Sequence, residues 1–245
     1  MLKGFLSALG FGSRETATAR QSIDPRAEAR ARFPYEIVET TGENALAKWE
    51  ELKSAGRGVP VIVGDDDDNV LRPFYPDASE PLVPVGEQLA AADAIRFPED
   101  LGAGHDDVAL GEWPAEMSES VGFSAALDPR SQTPMPRVYI VLIPTDDPTT
   151  VPACLHWGGF NGCLPAPYHV AALRNWRDRY GAELVALGSD TLELRVARKP
   201  ATREEALELA RVHNAYCGEF ENGGMTLSMM AAGLMVQDWW QFWWD

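Results

Sequence analysis

Five of the last seven residues, Trp239, Trp240, Phe242, Trp243 and Trp244, are large aromatics. Chain ends are normally polar and frayed, and that much aromatic surface left in water promotes aggregation. The ending therefore predicts a final strand over 239–244, aromatic on both faces and inserted into a sheet that the rest of the chain must supply.

The remaining pattern supplies one. Residues 33–40 alternate as a strand, residues 42–55 carry Ala45, Leu46, Trp49 and Leu52 on one helical face, and residues 59–63 return as a strand that is apolar on both sides. This is a β-α-β opening whose second strand belongs inside a sheet covered from both sides. A short helix is expected over 86–95 and a buried strand over 137–143. Pro165 and Pro167 suit the first turn of a helix that runs to Tyr180 and stops at Gly181. His169, Leu173, Trp176 and Tyr180 then share one stripe. Residues 183–187 and 191–197 read as a hairpin around Gly188-Ser189-Asp190, and Thr202 with Glu205 form a capping box for a helix through Cys217. A last helix is expected over 225–236. The fold class is α/β, with α+β as the alternative: a mixed sheet of about five to six strands with helices packed on it.

The chain divides into a flexible N-terminal arm over 1–32, a β-α-β lobe over 33–97, a Gly/Pro-rich acidic loop over 98–136 and a C-terminal domain over 137–245. The loop assignment rests on nine Gly or Pro in those 39 residues, too many for regular structure. Leu2, Phe5, Leu6 and Leu9 show helical apolar spacing, but Lys3 alone makes a thin positive flank, and Arg14 and Glu15 charge the place where a signal cleavage region is uncharged. No apolar run approaches the roughly 20 residues that span a bilayer. Three cysteines, Cys154, Cys163 and Cys217, are too few and odd for a disulfide framework, so reduced thiols and a cytoplasmic setting are expected.

The net charge is −16, yet residues 1–32 carry +3, which leaves −19 on the body. Such a body repels nucleic acid and anionic membranes and attracts a basic protein. Eight acidic residues and no Lys or Arg lie between Arg96 and Arg130, and Asp65, Asp66, Asp67 and Asp68 form a second acidic run. Either run can be simple solvated surface or a partner-facing patch; the second, which follows a buried strand, can also be a divalent-metal site or a helix cap.

Chemistry concentrates in Trp157-Gly-Gly-Phe-Asn-Gly-Cys-Leu-Pro-Ala-Pro-Tyr-His169, where a thiol and an imidazole flank a glycine-rich turn entering a helix. Cys163 before a helix N-terminus favours thiolate, His169 is a possible base and Asn161 a possible orienter of its ring, which together supply the residue types of thiol catalysis. No catalytic signature has this spacing. Zinc is the second possibility, with Cys163, His169 and Cys217 as candidate ligands beside Cys154-x-His156 and the His213/Cys217 pair, although the C-x2-C knuckle is absent. The plain alternative is that these are core residues. His105-Asp106-Asp107 is a weaker cluster of the same kind. Neither Gly158-Gly159 nor Gly223-Gly224 has the pattern of a phosphate loop, and no cofactor fingerprint is present.

Residues from about 138 to 245 also resemble the bacterial family known as domain of unknown function 4253. The resemblance is carried by Trp157-Gly158-Gly159 with Asn161 and Cys163, His169, Leu173-Arg174-x-Trp176, Tyr180-Gly181-Ala182-Glu183, Leu192-Glu193-Leu194, Tyr216-Cys217 and Trp240-x-Phe242-Trp243-Trp244-Asp245. Leu164 and His213 depart from it, where a proline and a Glu or Gln are expected. The resemblance implies a bacterial cytoplasmic protein with an α/β or α+β fold, and no activity. The function expected is that of a non-catalytic acidic protein-interaction domain, immunity-like or scaffolding, with a Cys/His-dependent hydrolase or acyl transferase and a zinc-stabilised binding domain as alternatives.

Overall fold

Six strands form one sheet in the order β1-β3-β2-β4-β5-β6 in the computed structural model, which describes residues 24–76, 81–102, 108–116, 122–218 and 224–244. They are β1 (Glu36–Thr40), β2 (Val59–Gly64), β3 (Val138–Ile143), β4 (Glu183–Leu187), β5 (Thr191–Arg195) and β6 (Trp239–Trp243). Eight α-helices are found among the described residues: α1 (Pro25–Arg32), α2 (Ala45–Ser54), α3 (Asp68–Leu71), α4 (Val85–Ala94), α5 (Val151–Cys154), α6 (Ala166–Tyr180), α7 (Arg203–Tyr216) and α8 (Leu227–Leu234). This is the mixed α/β sheet expected, with the aromatic C-terminal strand part of it.

The opening β-α-β is split. β1 and β2 run in the same direction but do not touch, because β3 lies between them and pairs antiparallel with each. All six residues of β3 are buried, because an interior place between β1 and β2, in a sheet covered on both sides, removes both its faces and both its edges from water. β2 is interior too, as its two-faced apolar pattern predicts, and meets β4 in parallel at Ile62 and Ala186. β4 and β5 make the expected hairpin, and β6 pairs antiparallel with β5 from Thr191↔Trp243 to Arg195↔Trp239.

The helices cover two faces. α2 lays Ala45, Trp49 and Leu52 on one face against Ile62, Ile140 and Val185, and the Trp49 indole N–H donates to the Pro60 carbonyl at 2.7 Å. On the other face α6 buries His169, Leu173, Trp176 and Tyr180, as its stripe predicts, before Gly181 ends it in the left-handed conformation. The Thr202 hydroxyl caps α7 by accepting from Glu205 N–H at 3.2 Å, while the Glu205 carboxylate takes the Ala201 N–H rather than closing the box on Thr202.

Three expectations need correcting. Residues 25–32, assigned by sequence to a flexible arm, are the helix α1, capped by Asp24 and buried at Ala29; residues 1–23 lie outside the described residues. The cause is the acidic run. Arg26 and Arg30 pair with Asp67, and Arg26 also with Asp66, so that Asp67 is only 1% exposed and is neither a metal ligand nor a solvated loop residue. The C-terminal aromatics, which the sequence reading takes out of water by inserting their strand into the sheet, include an exposed one. Trp240, Phe242 and Trp244 point into the core, but β6 is the edge strand and Trp243 is 45% exposed, its indole N–H reaching Asp190 at 3.3 Å.

Candidate functional site

The turn between α5 and α6 closes on itself. Gly158, Gly159, Asn161 and Gly162 all have positive φ, Cys163 N–H donates to Phe160 O at 2.6 Å, and Gly159 N–H donates to Leu164 O at 3.0 Å. The Trp157 indole N–H anchors the turn to the β4–β5 connection at Gly188 O, 2.8 Å away. Three glycines in the left-handed half of φ space are what let so short a segment reverse twice.

His169, in the first turns of α6 and fully buried, lies against this turn. Its Nε2 is 2.7 Å from Leu164 O and 3.3 Å from Cys163 Sγ, and its Nδ1 is 2.5 Å from the Tyr216 hydroxyl on α7. A carbonyl can only accept, so Nε2 carries the proton and the Nδ1 lone pair takes the Tyr216 O–H. The imidazole thus presents a proton, not a lone pair, to Cys163. Burial pushes the His169 pKa down to about 3 and the Cys163 thiol up to about 12. The second shift is opposite to the depression expected at a helix N-terminus, because desolvation of the thiol, 5% exposed, outweighs the lowering by the Gly159 backbone.

Asn161, the expected orienter, is exposed on the turn, and the position it was assigned is held by Tyr216. Tyr216 was missed as a site residue although it continues the buried α7 stripe one turn beyond His213. Around the pair stand Trp157 at 4.8 Å and Trp244 at 5.7 Å from the His169 ring, and Trp176 stacks on Phe242 at 5.2 Å. The aromatic C-terminus is therefore the floor of the histidine pocket.

The remaining candidates go elsewhere. The Cys217 thiol donates to Trp243 O at 3.0 Å, and His156 turns away to Gln88 at 2.8 Å. His213 lies among Trp176, Trp240 and Phe242, with its Nε2 unpartnered among the described residues and its pKa lowered by burial to about 3. All three cysteines are buried, and none is in a disulfide among the described residues. Among the described residues no three His, Cys, Asp or Glu side chains are grouped to hold a metal ion, so Cys163, His169 and Cys217 do not form the zinc site considered above. His105-Asp106-Asp107 lies outside the described residues. No helix among them is long and apolar enough to cross a membrane.

The turn, the buried histidine, Tyr216 and the aromatic floor all fall in one stretch that matches the family described as domain of unknown function (DUF4253), over residues 139–245. Residues 139–245 are a DUF4253 domain. No match was found among curated proteins or among solved structures. The DUF4253 domain supplies β3 to β6, but β3 reaches β4 only through β2, which lies outside the matched residues.

Gly158 seals the site. Its φ is +109°, and a Cβ there would stand 2.3 Å from Leu164 O and 2.8 Å from His169 Nε2. Gly158→Ala is expected to lower stability by about 3 kcal/mol or more, combining backbone strain with overpacking. Urea unfolding of the two proteins measures it; a loss under about 1 kcal/mol would mean the turn relaxes freely.

Proposed function

We propose that this protein acts by binding, as an acidic protein-interaction domain in which the Cys163–His169 contact is structural. The supporting observation is that both nitrogens of the fully buried His169 are engaged, Nε2 by Leu164 O and Nδ1 by the Tyr216 hydroxyl, leaving no lone pair for the thiol. The matched family is described only as a domain of unknown function. The charge of −16, with its acidic stretch over 99–128, would steer a basic partner to the surface. Alkylation of the native protein followed by peptide mass spectrometry tests the first half. Cys163 should stay protected at neutral pH until denaturation, whereas rapid labelling with an apparent pKa below the ordinary ~8.5 would overturn it. The association rate of a basic partner should fall with ionic strength, and a rate indifferent to salt would remove the second half.

The 3.3 Å approach of Cys163 Sγ to His169 Nε2 favours one other reading, a hydrolase or acyl transferase with Cys163 as nucleophile and His169 as base. It requires the Nε2 proton to leave Leu164 O and the Tyr216 O–H to release Nδ1. The same labelling experiment separates the two.

A further inference from the structure

A cavity of about 370 Å³ opens between α8, the start of β6 and the segment around Glu116. Met225, Met229, Met230, Leu234 and Trp239 line it, which places three of the chain's seven methionines on one surface. Met225 and Met229 are 41% and 48% exposed, and Leu110, 53% exposed, is held beside the first turn of α8 by Ser228 N–H donating to Leu110 O at 2.9 Å. Exposed apolar side chains grouped around a cavity are unusual on a surface that otherwise carries strong charge. Methionine, unbranched and polarisable, moulds to irregular apolar partners.

The rim is acidic. Glu116 lines the cavity and Glu112 lies on the same segment; both are exposed, and neither enters an ion pair among the described residues. No Lys or Arg is found among the described lining residues, and Arg203 of α7 is already engaged over the Trp113 ring at 4.5 Å. An anionic ligand is repelled here. A segment with apolar side chains on one face and Lys or Arg beside them covers the methionines and neutralises the free carboxylates together. We propose that this groove docks a basic amphipathic segment of a protein partner. The proposal rests on the reading of the protein as an acidic binding domain and assigns that binding to a place.

The test titrates the full chain with a synthetic Leu/Lys peptide whose leucines have helical spacing, with a Leu/Glu peptide of the same pattern as control, at low and high salt. The expected result is binding of the basic peptide alone, weakened about tenfold or more by Met229→Lys and several-fold by Glu112→Gln with Glu116→Gln. Glu39→Gln with Glu43→Gln, which removes the same charge elsewhere, should leave it unchanged. Met225→Lys replaces Met229→Lys if the latter fails to fold. Equal weakening by both pairs of Gln variants, with no effect of the Met variant, would overturn the groove while leaving the acidic binding function standing. Absence of basic-peptide binding at low salt would overturn both. Self-association in sedimentation that Met229→Lys abolishes would mean that a second copy of this chain is the occupant, and the proposal would fall.

Discussion

A fragment limited to residues 137–245 is expected not to fold, although it contains the whole matched domain. β3 and β4 are its first two strands, yet in the sheet they are separated by β2. Removing residues 1–136 strips β3 of both partners, since it pairs with β1 from Glu36↔Leu142 to Thr40↔Val138 and with β2 from Val59↔Ile143 onward. It also exposes the inner edge of β4 and uncovers Ile140, Val185 and Ala186, against which Trp49 packs. Each large apolar side chain so uncovered forfeits about 1.5–3 kcal/mol of burial, and losing several exceeds the roughly 5–15 kcal/mol by which a domain is stable. The full chain should unfold cooperatively in urea while the fragment shows no transition. A cooperative fragment would mean that β3 and β4 can close on each other.

Acid should destabilise the protein well before ordinary carboxylates protonate. His169 and His213 are held neutral by burial, each with a pKa near 3, against 6.5 when unperturbed. Between those values the unfolded chain binds more protons than the folded one. Their stabilisation is therefore complete above about pH 6.5 and is lost as pH falls towards 3, at up to about 1.4 kcal/mol per pH unit for each histidine. Glu193, whose pKa burial raises, opposes this at the acid end, where the folded state holds the proton more tightly. His213→Phe provides the internal control. It keeps an aromatic ring among Trp176, Trp240 and Phe242 and removes the unpartnered Nε2. Urea midpoints followed across this pH window should lose about half their slope in the variant. An unchanged slope would place the acid sensitivity elsewhere.

Much of the architecture is legible in local pattern. The 3.6-residue stripe of His169, Leu173, Trp176 and Tyr180, the glycine stop at 181, the Thr202 cap and the hairpin around Gly188-Ser189-Asp190 depend on residues close in the chain, and each appears where that chemistry places it. The aromatic ending likewise demanded a strand. Helix α1 was hidden because its support is distant: a basic octapeptide looks like an arm until Asp66 and Asp67 come to meet it. The insertion of β3 between β1 and β2 was hidden for a related reason. Apolar content shows that a strand is interior, but not which neighbours it takes.

The candidate site divides in the same way. The sequence alone determined that Cys163 and His169 would lie near one another, since a glycine-rich turn before a proline-started helix leaves little freedom over six residues. Only the tertiary structure decided what the pair can do. Tyr216 arrives from α7, 47 residues beyond His169, and occupies Nδ1, while Leu164 O holds the Nε2 proton. The protonation and depth of an imidazole depend on groups that packing brings from elsewhere in the chain, and spacing along the sequence carries no record of them.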